Sequence, residues 1–162
     1  MKISSFPPII NNESKILILG SIPGVKSLEM QQYYAHPQNK FWKIICEIFN
    51  EKFTTDYDER IKILEKYHVA LWDVIDTCER KGSLDSEIRN EEANKIGELL
   101  HNYPNIKAIF CNGQKSYKNL QKILPKDFYL PIIVLPSTSP AHASLRYEEK
   151  LLSWQKIKNY LP

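Results

Sequence analysis

Four short apolar runs, Lys15–Leu19, Val69–Val74, Ile106–Cys111 and Ile132–Leu135, punctuate the chain, each bounded by turn residues. Their apolar positions are continuous rather than alternating, the pattern of strands buried on both faces of a sheet. Between them apolar residues recur at helical spacing. Phe41, Ile44, Ile45, Ile48 and Phe49 form one face, and Ile61, Leu64 and Tyr67 begin a second. Ile96, Leu99 and Leu100 follow, then Tyr117, Leu120, Ile123 and Leu124, and finally Leu151, Leu152, Trp154, Ile157 and Tyr160. The order β-α-α-β-α-β-α-β-α predicts an α/β fold, a three-layer α/β/α sandwich around a central four-stranded parallel sheet. No repeat, low-complexity segment or linker interrupts it, so residues 1–162 are expected to form a single domain. Phe6-Pro7-Pro8 reads as an extended lead-in. Asp76–Ser86 reads as an irregular loop, longer than a βα connection needs and therefore a candidate for function.

The strands end in Gly20-Ser21-Ile22-Pro23-Gly24, Trp72-Asp73, Asn112-Gly113 and Pro136-Ser137-Thr138-Ser139-Pro140-Ala141-His142. Parallel strands bring their carboxyl ends to one edge, where open α/β sheets bind ligands. The first end adds a glycine turn whose backbone N–H groups can face a ligand. The segment Gln32-Tyr33-Tyr34-Ala35-His36-Pro37-Gln38-Asn39-Lys40-Phe41-Trp42 comes next. Its tyrosines, histidine and asparagine can stack on a flat ring, hydrogen-bond it and hold a water, which points to a nucleobase pocket. Lys26, Arg80, Lys81, Lys115 and Arg146 flank these loops, and Ser139 and Ser144 offer small hydroxyls, all suited to phosphates.

Composition narrows this picture only modestly. The 22 Lys+Arg against 19 Asp+Glu give a formal charge of +3, which permits a polyanionic partner without identifying one. Three separated cysteines, Cys46, Cys78 and Cys111, have no ligand spacing, so neither a disulfide framework nor a metal site is expected. No leader pattern is present and no apolar run approaches the ~18 residues of a membrane span. A cytoplasmic, reduced protein with no membrane partner is the expectation.

Taken together, these blocks resemble the uracil-DNA glycosylase superfamily, and most its hypoxanthine-DNA glycosylase branch, the DNA-deoxyinosine glycosylases of family six. The resemblance rests on residues 20–24, on Trp72-Asp73 continuing through Cys78-Glu79-Arg80-Lys81-Gly82-Ser83-Leu84-Asp85, and on residues 136–142. Ala35-His36-Pro37-Gln38-Asn39-Lys40-Phe41-Trp42-Lys43 also resembles the mismatch-specific uracil enzymes. Ile22 stands where those enzymes carry a water-positioning asparagine and the archetypal uracil enzymes an aspartate. Ser137 replaces the histidine that heads the second motif, and Ala141 replaces its intercalating leucine.

The resemblance implies a monofunctional glycosylase that flips hypoxanthine out of DNA and hydrolyses its N-glycosidic bond. It implies no metal or redox cofactor, deoxyinosine-containing DNA as partner, and a monomer. Asn39 would hold the attacking water and Tyr34 would stack on the base. Asp73 would accept hypoxanthine N1–H, which adenine lacks. Ser21, Pro23, Gly24 and Asn112 would line the base, with the N–H groups of Gly24 and Val25 facing the leaving anion. Arg80, Lys81, Lys115, Ser137, Ser139, Ala141, His142 and Arg146 would face DNA.

Two alternatives stay open: a uracil or mismatch-specific uracil-DNA glycosylase, and a noncatalytic nucleic-acid-binding domain, to which Ile22 and Ala141 would be suited. Structural roles compete at single residues as well. Asn39 and His36 suit a helix entry, Asn112 a tight Asn-Gly turn, and His142 a satisfied surface site. Trp42, Trp72 and Trp154 read as core, and Tyr33 as either core or groove.

Overall fold

The computed structural model describes residues 2–162. Strands β2 (Ile16–Gly20), β3 (Val69–Asp73), β6 (Ala108–Asn112) and β7 (Ile132–Leu135) form a parallel sheet in the order β3-β2-β6-β7. Successive side chains of a strand point to opposite faces, so a continuous apolar run feeds two cores at once. Ile16, Ile18, Val69, Leu71 and Phe110 turn to one face. There they meet Ile44 and Ile45 of helix α2 (Phe41–Ile48), Leu64 of α3 (Tyr57–Lys66) and Trp154 of α6 (Tyr147–Trp154). Leu17, Leu19, Ala70, Ile109 and Cys111 turn to the other. They pack on Ile96 and Leu100 of α4 (Ile96–Asn102) and Leu120 of α5 (Gln114–Ile123). The expected three layers are present.

The segment expected to be a long loop after β3 is organised differently. Chain residues Ile75–Glu79 form β4, which pairs antiparallel with β1 (Lys2–Ser4) and with β5 (Arg89–Ala93) in a second, three-stranded sheet. Only residues 80–88 remain as a loop, with a 3-10 turn at Asp85–Glu87. Irregular pairing between Ile75, Thr77 and Glu79 breaks the period of two, and β5 carries no apolar stripe, so neither strand is visible as a pattern. This sheet closes a small core of Ile3, Ile22, Ile75, Cys78 and Ile88. At the C-terminus, the predicted single helix stops at Trp154 and continues as a 3-10 turn over Gln155–Tyr160; Leu152, expected on the apolar face, is exposed. Among the described residues, no helix is long and apolar enough to cross a membrane.

Candidate active site

The carboxyl-terminal residues of all four parallel strands, Gly20, Asp73, Asn112 and Leu135, line one cavity of about 620 Å³. It opens where β3 and β6 diverge to opposite sides of β2, the point at which a doubly covered sheet leaves a crevice. Its volume lies within the ~300–1,000 Å³ typical of small-molecule sites. The glycine turn, Tyr34, Asn39 and residues 136–142 complete the wall. Residues more than a hundred positions apart thus meet as the strand ends required.

Gly20 is a necessity of this floor. A Cβ there would lie 2.6 Å from both Asp73 Oδ1 and Tyr34 Oη, so only a hydrogen lets the two groups close over the strand end. Asp73 is buried, and its Oδ2 has no hydrogen-bond partner; Tyr34 Oη is in the same state. Burial, aided by the charge of Asp85, pushes the Asp73 carboxyl up to about 7. Burial likewise raises the Tyr34 hydroxyl well above its ordinary value, with the Asp73 charge adding to it and Asn112 opposing it.

Tyr34 has φ 53°, a left-handed conformation that costs a non-glycine residue ~1 kcal/mol or more. Its neighbours enforce it. The Tyr33 N–H donates to Tyr57 Oη, Tyr33 Oη donates to the Pro7 carbonyl, and Trp42 Nε1 donates to the Tyr33 carbonyl. Ala35 N–H donates to Ser27 Oγ. Tyr33 is therefore core. Phe41 stacks on the Tyr34 ring at 4.2 Å between centroids and 25° between planes, which backs the ring against movement.

Asn39 stands at the entry to α2. Its Oδ1 accepts the Phe41 N–H at 3.0 Å, so the helix-entry role and the cavity position coincide. An amide oxygen has two lone pairs, and one remains for a water. The next residue is tied across the cavity, Lys40 N–H donating to the Thr138 carbonyl at 3.0 Å. His36 is exposed, and its Nδ1 accepts the Gln38 N–H in a local turn.

Asn112 and Thr138 brace each other. Asn112 Nδ2 donates to Thr138 Oγ1, and Thr138 N–H donates to Asn112 Oδ1, both at 3.0 Å. Gly113, at φ 91°, makes the tight turn into α5 beside this pair. The bracing role of Thr138 and the burial of Lys150 have no signature in the chain's pattern. Lys150 is buried and donates to the His142 carbonyl at 2.6 Å, which fixes the far end of the 136–142 loop. A buried lysine eight positions beyond the 136–142 loop carries no sequence signal.

Several expected DNA-facing residues have other tasks. Arg80 is buried; its Nη2 donates to the Pro23 carbonyl at 2.7 Å and its Nε to the Gly82 carbonyl at 2.6 Å. It is a strap between the glycine turn and the 80–88 loop, not a free cation. Arg80→Ala leaves the Pro23 carbonyl without this charged donor and should cost ~2–3 kcal/mol, read as a lowered urea midpoint. Lys115 is paired with Glu91 at 3.1 Å, and Arg146 with Glu149 at 3.3 Å. Val25 N–H, expected to face the leaving base, donates to Ser83 Oγ at 2.9 Å. Ser21 Oγ donates to Asp85 Oδ1. Ser137 Oγ accepts the Ser139 N–H, and Ser139 Oγ accepts the Ala141 N–H, so both hydroxyls also shape their own loop. Ala141 and His142 are exposed and line the cavity, and Lys81 is exposed in the 80–88 loop.

The profile of the uracil DNA glycosylase superfamily matches residues 7–160. The chain belongs to that superfamily. A Methanosarcina barkeri protein named hypoxanthine DNA glycosylase is 37% identical over 90% of this chain and 92% of its own length. A second protein of that name, from Methanosarcina acetivorans, is 35% identical over 85% of this chain and 86% of its own. The solution NMR structure of a candidate uracil DNA glycosylase from Methanosarcina acetivorans superposes with a TM-score of 0.82 and 31% identity. It covers 98% of this chain and 99% of that one. Within the superfamily arrangement, Ile22 is buried against Ile75, Cys78 and Ile88 and serves packing beneath the glycine turn.

Proposed function

We infer that this chain is a monofunctional DNA glycosylase that excises hypoxanthine from DNA. The reading is carried by one observation: a buried carboxylate without a partner, Asp73, at the base of a cavity formed by four strand ends. A deep acidic group with no cation beside it repels a phosphate and favours a neutral ring that presents an N–H. Hypoxanthine presents N1–H next to O6. The names of the two relatives above support the same substrate.

In this reading the target nucleotide leaves the stack, at a cost of a few kcal/mol that is smallest at a mispair. Its base enters beside Tyr34, and Asp73 accepts N1–H. The C1′–N9 bond breaks with its electron pair on the purine, a water held by Asn39 Oδ1 bonds to C1′, and the proton it loses passes through solvent to the purine anion. Asn39 positions that water and does not deprotonate it, which suffices for a cationic sugar. The step needs no metal or redox group, and the products are free hypoxanthine and an abasic site. The pocket lies within one chain, so a monomer suffices.

A uracil substrate is the second reading, because uracil N3–H beside O4 offers Asp73 the same edge as hypoxanthine. Purified protein incubated with duplexes carrying inosine, uracil or xanthine, then treated with alkali, separates the two. Strand breaks at inosine with at least ~10-fold slower cleavage at uracil are expected, a difference of the size that ring fit supplies. Cleavage at uracil alone overturns the hypoxanthine reading.

A further inference from the structure

We propose that Leu84 is the side chain that fills the base stack when the target nucleotide is extruded. This rests on the glycosylase reading above. A flipped base leaves a gap between its neighbours, and an apolar side chain occupying it offsets the lost stacking. The 136–142 loop ends in Pro140-Ala141-His142, which offers no large apolar group. Among the described residues, Val25 and Leu84 are the large exposed hydrophobics that line the cavity, at 42% and 52% exposure. Val25 begins helix α1 (Val25–Met30), and its short side chain lies beside the glycine turn.

Leu84 is held as a wedge must be. On one side of it Ser83 Oγ accepts the Val25 N–H at 2.9 Å, and on the other Asp85 Oδ1 accepts from Ser21 Oγ at 2.9 Å. Both neighbours turn inward onto the glycine turn, which leaves the leucine outward. Arg80 fixes the start of the loop through the Pro23 and Gly82 carbonyls, and buried Ile88 fixes its end. An exposed leucine on the cavity rim, with both flanking side chains bonded to the glycine turn, is placed for insertion beside a flipped nucleotide. Lys81, three positions before Leu84 in the same loop, is exposed and offers a cation to a phosphate.

The test compares wild type, Leu84→Ala and Leu84→Met on an inosine duplex, on the same strand unpaired, and by fluorescence of 2-aminopurine placed beside the inosine. Leu84→Ala should slow duplex excision at least ~10-fold, leave single-strand excision within about twofold, and abolish the fluorescence rise that wild type produces. Leu84→Met should restore most of the duplex rate. Equal loss on both substrates, or an unchanged duplex rate, overturns the assignment. If wild type excises hypoxanthine from neither substrate, the glycosylase reading fails. The fluorescence comparison then decides the wedge by itself: a rise that depends on Leu84 supports it, and a rise indifferent to Leu84 or no rise overturns it.

Discussion

Asn39→Ala should lower single-turnover excision of hypoxanthine by at least ~100-fold, the effect of removing one preorganised polar group from a developing charge. The substitution removes two functions at once, because Asn39 Oδ1 also accepts the Phe41 N–H at the start of α2. Loss of that bond alone should cost ~1 kcal/mol of stability. Asn39→Asp separates the two effects. It keeps an acceptor for the helix and for a water, and should stay within about tenfold of wild type. If the alanine variant retains its rate within a few-fold while its urea midpoint falls, Asn39 is a cap and the water is held elsewhere.

Asp73→Asn should narrow the preference for deoxyinosine over deoxyadenosine by ~100-fold or more. An amide presents a donor as well as an acceptor, so adenine N1 is no longer opposed by a carboxylate. The pH dependence provides a separate readout. Burial raises the Asp73 carboxyl to about 7, so the ionised acceptor dominates above that value. Wild-type excision should rise with pH through about 7, and the Asn variant should lack this inflection.

Stability should move the opposite way. The folded carboxyl binds its proton more tightly than the unfolded one, whose ordinary value is 3.8. Its contribution is therefore fully present below 3.8 and is lost as pH rises to about 7. Asp73→Asn removes this loss, so the variant should gain stability over wild type as pH rises. The gain should level off above about 7, at a size on the order of a few kcal/mol. Denaturation midpoints at pH 5 and 8 and excision rates across the same range would measure both trends. An active site that carries an unpaired buried carboxylate at working pH trades stability for recognition.

Continuous apolar runs, glycines and prolines made the parallel sheet and its ligand-bearing edge legible in the chain. A strand buried on two faces has no choice of composition, and the turn residues at 20–24 and 136–142 mark where it stops. For the same reason Tyr34, Asn39, Asp73 and Asn112 could be named together before their distances were known, and all four line the cavity. β4 and β5 had no comparable signal, because irregular pairing and an absent apolar face leave nothing periodic to detect.

What only the tertiary structure decided is where each polar group spends its hydrogen bonds. Arg80 reads in sequence as a surface cation, and becomes a strap because the glycine turn brings the Pro23 carbonyl within reach. Val25 N–H and the Ser21 hydroxyl are claimed by Ser83 and Asp85, more than fifty positions away. Asp73 Oδ2 is left without a partner, as is the Tyr34 hydroxyl that closes over Gly20 with it. Local composition sets which residues stand at the strand ends, since backbone geometry and burial act over a few positions. The assignment of donors to acceptors depends on contacts between distant segments, and no local pattern encodes it.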